Sequence, residues 1–536
     1  MIALNHSDEY PKLVIYESRS TLKKLWVEFE FIYGCRKYDD CLIVPLELPI
    51  LELLLQYGCR PDSETAAWLE QQRDAETRLA RPAMYDDVQL DHPKAALLYP
   101  YQRVGANFLV KRSRVVLADQ QGLGKTAEAI IAVEISRWHD KVLIVCPKSL
   151  LGVWRDEIAK WAALHLPVTI VETRTQTSKI TEYHAGWLAC SYDTLRREDT
   201  IARISWDWVI ADESQNLKNR ATQNYRAVSS LKTRRIAFLT ATPMGNGPHE
   251  LWTMLHLIDP KRYSSYWRFR DLFCEYDPWE PHARVTDTRH PDLLRRELAP
   301  RMLQRKKADV QKQLPPKTVQ RVPLGLNPKQ EKHYDEMARY ALVTLTSGDT
   351  LDALAPIAQL GRLRQILSTP ATLGLADDSS KLDAAMDLIQ STDEKVVVFT
   401  LFRATVQALC SRLSREGVEH TYLWGGLTLD EIDAVKHRLD TDARVLVATL
   451  QTGGVGLTLT AASTCIFIDQ HYNPEKQEQA QDRLHRISQT KPVTVYNLYC
   501  PNTVDDLVEE ILQRKVLMTT AILGKALIEA LQRRLP

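Results

Sequence analysis

Residues 119–126 read Asp-Gln-Gln-Gly-Leu-Gly-Lys-Thr and have the residue types that bind phosphate. They follow an apolar run at 115–118 and precede a stretch at 127–135 that is predicted to be a helix. In such a unit backbone N–H groups and the helix N-terminus face an anion, Lys125 reaches the outer phosphates and the Thr126 hydroxyl holds Mg²⁺. Asp119 stands where the generic phosphate-loop pattern has a small residue. A glycine-rich turn that caps a helix therefore remains the alternative.

Two adjacent carboxylates end a second apolar run. Asp212 and Glu213 follow the stretch 208–211, and this position suits one carboxylate for Mg²⁺ and the other for water. We expect Asp212 to hold the metal and Glu213 to orient or deprotonate the attacking water. Thr240 and Thr242 follow the next apolar run, where their hydroxyls can bridge the carboxylates to another ligand or simply form a turn before a proline.

A pair of arginines lies near the other end of the chain. Arg483 and Arg486 are three residues apart and would share one face of a helix at 479–489. A planar guanidinium that is always charged suits the spread charge of a transferring γ-phosphoryl group. An exposed, salt-bridged helix is the alternative.

Strands and helices must alternate to bring these residues together. From about residue 97 onward, continuous apolar runs alternate with helical stretches in two blocks, as in parallel sheets that are buried on both faces. We predict an α/β fold with two parallel-sheet lobes, an N-terminal α+β unit and C-terminal helices. The predicted domains are an accessory unit at 1–95, an ATP-binding lobe at 96–259, a basic connecting segment at 260–325, a second lobe at 326–510 and a C-terminal helix at 511–536.

The N-terminal unit has no chemical motif of its own. Its alternating stretch 26–33 and the run 41–45 are predicted to be strands, and 48–57 and 65–79 are predicted to be helices. A structural appendage is favoured over a module that recognises a substrate.

The overall composition is that of an ordinary folded protein. The chain has 536 residues and a net charge of +1, so any binding to nucleic acid must come from local patches. Residues 295–321 form such a patch, with nine basic residues against two acidic ones. The unpaired pattern of cysteines, the N-terminus without signal character and the lack of a long apolar run favour a soluble, cytoplasmic protein, nucleoid-associated if it is prokaryotic or viral, without a membrane partner.

In this order the motifs resemble those of the Swi/Snf-type ATPases of helicase superfamily two, over about residues 97–510. The resemblance implies an α/β fold in which both parallel-sheet lobes are RecA-like. The residues that support the resemblance lie at 101–103, 119–126, 145–154, 191–195, 212–219, 239–246, 453–459, 469–474 and 479–489. In that family an aspartate is usual at the position of Asp119. The N-terminal unit has a weaker resemblance to the small domain that precedes the motor in annealing-helicase relatives.

The resemblance implies a role for each motif. ATP would be bound by Gln102, which would read the adenine, and by Gly122, Leu123, Gly124, Lys125, Thr126, Gly456 and Gln479. Mg²⁺ would be held by Thr126 and Asp212, and catalysis would use Lys125, Asp212, Glu213, Arg483 and Arg486. DNA would be contacted by Lys148, Ser149, Tyr192, Thr240, Thr242, Gly453 and Gly454.

The sequence departs from the family pattern at several positions. Gln215 stands in place of a histidine, Gln120 in place of a glutamate, Thr458 in place of an asparagine and Tyr472 in place of a tryptophan. Because every charged catalytic group is present, we expect a translocase that hydrolyses ATP and moves along double-stranded DNA through phosphate contacts that are largely independent of sequence. A strand-separating helicase, the motor subunit of a repair or restriction complex, and an ATP-gated DNA clamp with little turnover are the alternatives; protein partners stay open.

Overall fold

The chain forms two compact units, Met1–Val310 and Gln311–Pro536. The computed structural model describes residues 2–5, 12–29, 35–46, 48–80, 88–172, 176, 178–244, 247–276, 285–310, 315–346, 355–453, 459–471, 474–486, 489–514, 532 and 534. Within these ranges, no helix combines the length and the apolar character needed to cross a membrane.

The first unit begins with a small antiparallel sheet covered by helices. Its strands are β1 (Ile2–Asn5), β2 (Lys12–Tyr16), β3 (Arg36–Lys37) and β4 (Cys41–Pro45), in the order β1-β2-β4-β3. Its helices are α1 (Arg19–Phe29), α2 (Leu48–Gln56) and α3 (Ser63–Ala80). The predicted strand at 41–45 and the two predicted helices are confirmed.

The predicted strand at 26–33 is wrong over the residues that the structure describes. Residues 26–29 form the last turn of α1, and residues 30–33 lie outside the described part of the chain. Leu22, Leu25 and Phe29 are buried at helical spacing, whereas Val27 is 59% exposed. The alternation of apolar and polar residues at 26–33 was misleading, because residues 26–29 continue a helical pattern of apolar residues that begins earlier in α1.

A seven-stranded parallel sheet forms the rest of the first unit. Its strands are β5 (Arg114–Leu117), β6 (Lys141–Cys146), β7 (Val168–Val171), β8 (Gly186–Ser191), β9 (Ser205–Ala211), β10 (Lys232–Leu239) and, beyond the hairpin described below, β13 (Met302–Leu303). The order is β13-β5-β10-β9-β6-β8-β7, and each pairing is parallel. Central strands are apolar throughout because helices cover both faces.

The first lobe's helices follow its strands in the usual alternation. They are α4 (Pro100–Lys111), α5 (Lys125–Ile135), α6 (Leu151–Trp161), α7 (Ser178–Thr181), α8 (Tyr192–Arg197), α9 (Asp199–Arg203), α10 (Gln223–Ser229) and α11 (Leu251–Ile258). Next come α12 (Tyr266–Phe273), an antiparallel hairpin of β11 (Cys274–Tyr276) and β12 (Val285–Thr288), α13 (Pro291–Leu298) and α14 (Lys307–Val310).

The second unit contains a six-stranded parallel sheet in the order β14-β19-β18-β15-β17-β16. The strands are β14 (Lys317–Pro323), β15 (Val396–Thr400), β16 (His420–Leu423), β17 (Val445–Thr449), β18 (Thr464–Phe467) and β19 (Val493–Tyr499). The helices are α15 (Pro328–Thr346), α16 (Ala355–Ser368), α17 (Ser380–Gln390), α18 (Arg403–Arg415), α19 (Leu429–Asp440), α20 (Leu450–Gly453), α21 (Pro474–Leu484) and α22 (Val504–Arg514).

These two sheets confirm the predicted α/β fold with two parallel-sheet lobes. The predicted C-terminal helices are described as far as Arg514, and most of the chain beyond that lies outside the described residues. The finer domain boundaries stay predictions.

Candidate functional site

The loop between β5 and α5 is shaped by glycines and closed by a lysine. Gly122 and Gly124 have φ angles of 83° and 89°, in the left-handed region that favours glycine, and Gly124 immediately precedes α5. Lys125 is half-buried and donates a hydrogen bond to the main-chain carbonyl of Asp119 at 2.6 Å. The first N–H groups of α5 therefore meet the loop at the positive end of the helix, which is the arrangement that binds anions.

The main chain at Leu123, in the middle of this loop, is held by two side chains from α4. The Leu123 carbonyl accepts hydrogen bonds from the Tyr101 hydroxyl at 3.0 Å and from Gln102 Nε2 at 2.9 Å. The Oε1 atom of Gln102 accepts a further bond from the Tyr99 N–H at 3.0 Å. Gln102 is thus a buried residue that touches the loop, and its reading of adenine stays a prediction.

A buried ionic cluster lies beneath the loop. Arg305 has a side chain with no exposed surface, and it donates Nε to both carboxylate oxygens of Asp119 at 3.0 Å each. Its Nη2 atom donates to both oxygens of Glu128, at 3.1 and 2.8 Å, and its Nη1 atom donates to the Tyr101 carbonyl. Burial, reinforced by the charge of Asp119, raises the pKa of Glu128, and Arg305 opposes this rise. The sequence analysis did not predict this cluster.

The two carboxylates that are predicted to be catalytic lie at the end of β9, in the same sheet. Asp212 Oδ2 accepts a hydrogen bond from the Trp154 indole N–H at 2.9 Å, and Oδ1 accepts the Glu213 N–H at 2.8 Å. Burial and the neighbouring charge of Glu213 raise the pKa of Asp212 to about 6, while the Trp154 bond opposes this rise. Glu213 has a φ angle of 48°, a strained conformation at the predicted position of the residue that handles water.

A glutamine joins Glu213 to the next strand. Gln215 Nε2 donates to Glu213 Oε2 at 2.5 Å, and Gln215 Oε1 accepts from the Thr240 hydroxyl at 2.9 Å. The Thr240 hydroxyl also accepts the Thr242 N–H at 3.1 Å. Gln215, which the sequence marked as a departure from the family pattern, therefore forms a continuous polar link between the ends of β9 and β10.

The residues of this site fit a magnesium ion. Burial and the charge of the adjacent Glu213 favour protonation of Asp212, and a divalent cation beside the two carboxylates would oppose this. Carboxylate and hydroxyl oxygens are also ligands that Mg²⁺ prefers. Burial lowers the pKa of Lys125, whereas the charges of Asp119, Glu213, Asp212 and Glu128 oppose the fall, so these acids and the lysine share one electrostatic environment.

A cavity of 390 Å³ opens beside β6 and β8. Its walls include Lys148, Tyr192, Arg197 and Asn216, and Lys148 is exposed. Tyr192 is largely buried, and its hydroxyl donates to the Asp212 carbonyl at 2.8 Å. The predicted DNA contacts of this unit differ in exposure. Lys148 is exposed, Ser149 and Thr242 are half-buried, and Tyr192 and Thr240 are buried.

The predicted residues of the second unit lie on and around α21. Arg483 is 3% exposed, and its carbonyl accepts the Leu459 N–H at 3.0 Å. Arg486 and Gln479 are half-buried. Gly453 ends α20, whereas Gly454 and Gly456, as well as Thr458 and Tyr472, lie outside the described residues.

Comparison with protein-family models decides the family. The SNF2-related domain matches residues 101–372, just over half of the chain, and the helicase conserved C-terminal domain matches residues 380–488.

This chain belongs to the SNF2-related family. The resemblance to Swi/Snf-type ATPases is confirmed, and the prediction of a helicase-type ATPase is confirmed at the level of the family.

Several curated proteins are similar to this SNF2-related chain. An uncharacterized ATP-dependent helicase of Mycoplasma pneumoniae is 28% identical over 459 residues, which are 83% of this chain and 43% of the relative. The human DNA annealing helicase and endonuclease ZRANB3 is 29% identical, over 80% of this chain and 40% of the relative. The chain therefore spans less than half the length of these relatives. The SWI2/SNF2 ATPase core of Sulfolobus solfataricus in complex with dsDNA is 24% identical over 84% of this chain and 97% of that chain, with a TM-score of 0.38.

Three residues that the structure places at this site were not among the predicted catalytic, nucleotide-binding or DNA-binding residues. Trp154 binds Asp212, Arg305 binds Asp119, and Glu128 completes the buried cluster. Glu128 did leave a signal, because it is a lone acid among the apolar residues at the start of α5. Arg305 left none, because it is one of nine basic residues in the segment 295–321.

Proposed function

We propose that this chain is an ATP-dependent translocase on double-stranded DNA. The observation that carries the proposal is that the loop after β5 and the acid pair after β9 leave the same edge of one parallel sheet of an SNF2-related chain, with β10 between the two strands. Lys125 there interacts electrostatically with Asp212 and Glu213. A phosphate loop with an acid pair at its side is what nucleoside triphosphate hydrolysis requires.

In this proposal the first lobe holds the nucleotide. Backbone N–H groups of residues 122–126 bind the phosphates, Lys125 moves from the Asp119 carbonyl to the outer phosphates, and Gln102 lies beside the adenine. Thr126 and Asp212 hold Mg²⁺, which supplies charge neutralisation at the phosphates when bound. Glu213 orients the attacking water, and its carboxylate is itself held by Gln215.

For the second unit the proposal rests on the order of the motifs. Arg483 and Arg486 supply positive charge to the transferring phosphoryl group, and Gln479 and Gly456 contribute to nucleotide binding. Gly453 and Gly454 contact the DNA backbone. Residues 1–95 are proposed to form an accessory unit. Residues 260–325, which contribute β13 to the first sheet and β14 to the second, are proposed to lead from one lobe to the next.

DNA is proposed to be gripped mainly at its phosphates. Lys148 is exposed at the rim of a cavity that Arg197 also lines. Arg197 is paired with Asp193 at 3.1 Å, so Lys148 is the cation proposed to meet a phosphate there. The other proposed DNA contacts in this unit are Ser149, Thr242, Tyr192 and Thr240. Tyr192 and Thr240 are buried, so they act by holding the loops that they contact. Binding of this kind is salt-dependent and largely independent of sequence.

A strand-displacement experiment distinguishes a translocase from a helicase. Wild-type protein with ATP is added to duplex DNA that carries a third strand, and in parallel to a forked duplex. Displacement of the third strand without separation of the duplex supports the translocase. Separation of the duplex at a comparable rate supports the helicase, and tight binding with neither activity supports an ATP-gated clamp.

A further inference from the structure

The loop at residues 119–125 is hydrogen-bonded to a segment that is distant from it in the sequence. Residues 301–307, which we call the strap, follow α13 and run parallel to β5. Their backbone pairs with β5 and continues past the end of that strand into the loop. The bonds are Val116 N to Arg301 O at 2.8 Å, Ala118 N to Leu303 O at 2.7 Å, Gln120 N to Arg305 O at 3.0 Å and Lys307 N to Gln120 Oε1 at 2.8 Å.

Arg305 adds side-chain bonds to this backbone pairing. Its guanidinium binds Asp119, which is the first residue of the loop motif, and Glu128, which is in the first turn of α5. A single side chain thus connects the start of the loop to the helix that the loop enters. Asp119 in turn presents its carbonyl to Lys125.

The cluster of Arg305, Asp119 and Glu128 is tightly packed. Gly105 of α4 faces it, and a methyl group at that position would overlap the Glu128 carboxylate and press on Arg305. Asp119, Glu128 and the Arg305 side chain have no exposed surface, so the three charges must satisfy one another.

We propose that Arg305 is a positioning residue for nucleotide binding, which fixes the loop of residues 119–125 by holding Asp119 and Glu128 together. This inference rests on the proposed function, because it assigns the same loop to ATP. Arg305 does not touch the nucleotide; it sets the place from which the backbone N–H groups and Lys125 do so. Its planar fork binds two carboxylates at once, which an ammonium group cannot reproduce.

The test compares Arg305→Lys with a matched control, Arg112→Lys. Arg112 is also buried and donates to the Pro300 carbonyl at 3.0 Å next to the strap, without a described bond to the loop. For each full-length protein we would measure the dissociation constant of a fluorescent ATP analogue, the affinity for duplex DNA without nucleotide, and the melting temperature. Gly105→Ala serves as a second variant that disturbs the cluster and keeps all its charges.

We expect Arg305→Lys and Gly105→Ala to weaken binding of the analogue about tenfold, while affinity for DNA changes less than about twofold. Arg112→Lys should leave the affinity for the analogue unchanged. Equal binding of the analogue by wild type and both cluster variants overturns the inference, as does a parallel loss of DNA binding and nucleotide binding. Wild-type protein that binds the analogue but does not hydrolyse ATP contradicts the proposed function and leaves this comparison valid.

Discussion

Trp154 donates its indole N–H to the Asp212 carboxylate at 2.9 Å, and the two residues are 58 positions apart in the sequence. The bond fixes Oδ2 of a carboxylate whose Oδ1 atom accepts the Glu213 N–H at 2.8 Å, so the two donors together orient the group at the end of β9. It also favours the ionised form, which is the form that holds a cation.

We predict that Trp154→Phe lowers kcat/KM for ATP about tenfold, because the carboxylate loses one of its two orienting donors. Trp208→Phe is the matched control: Trp208 is equally buried in the same lobe, and its indole N–H binds the Ser136 hydroxyl at 2.8 Å. Steady-state hydrolysis of both variants checks the prediction. Equal losses in the two variants would show that general packing, rather than the bond to Asp212, is responsible.

Gln215 is expected to couple the water-handling acid to the adjacent strand end. Gln215→Ala removes the link between Glu213 and Thr240, so DNA-stimulated hydrolysis should fall about tenfold, with a smaller effect on hydrolysis without DNA. Gln215→His, which restores the residue of the family pattern, should retain most of the stimulation. Gln223→Ala, at an exposed position at the start of α10, is the control. A uniform loss with and without DNA would contradict a coupling role.

Lys148 is expected to contact a DNA phosphate. Lys148→Ala should weaken binding to duplexes of different sequence by the same factor and reduce the slope of log affinity against log salt by about one. Lys160→Ala removes another exposed lysine from the neighbouring helix α6 and should change neither quantity. Fluorescence anisotropy over a range of salt concentrations measures both. An unchanged slope for Lys148→Ala would exclude the phosphate contact.

Glu297 is expected to stabilise the first unit in a pH-dependent way. Burial alone would raise its pKa, but Arg262, at 2.6 and 2.8 Å, together with Arg301 and the Tyr263 hydroxyl, lowers it overall. Because the pKa is lower in the folded state, the stabilisation is present above the unfolded value of about 4.5 and is lost as the pH falls through the folded value.

Glu297→Gln should therefore reduce the free energy of unfolding by about 3 kcal/mol at neutral pH, and this difference should shrink as the pH falls below about 4.5. Asp292→Asn on the same helix breaks a pair that is 77% and 83% exposed and should cost less than about 0.5 kcal/mol. Chemical denaturation at several pH values compares them. A difference that does not depend on pH would contradict an ionic origin.

The sheets could be predicted from the sequence because buried parallel strands are continuous apolar runs, as in residues 142–145 and 208–211. The acid pair and the glycine loop were likewise visible, because their chemistry depends on short spacing. Arg305 and Trp154 could not be found in this way. Their partners are 186 and 58 residues away, and nothing in a basic segment or an amphipathic helix marks which side chain turns inward.

The basic segment 295–321 shows the same limit. Charge counting predicts a patch near DNA, yet the structure buries Arg301, Arg305 and Lys307. Arg305 is used to hold a loop and Arg301 to bind Glu297, whereas Arg295 and Lys306 are exposed. Total charge is therefore a poor guide to the charge that a segment presents to a ligand.

ATP hydrolysis with and without duplex DNA tests the central claim most directly. The wild-type protein, Lys125→Ala and Glu213→Gln should be compared at saturating Mg²⁺. The proposed function predicts turnover that duplex DNA stimulates and that each substitution reduces at least about a hundredfold, since both groups act on the transferring phosphoryl group or its water. Turnover that persists in Lys125→Ala, or wild-type protein that binds DNA tightly without hydrolysing ATP, would contradict it.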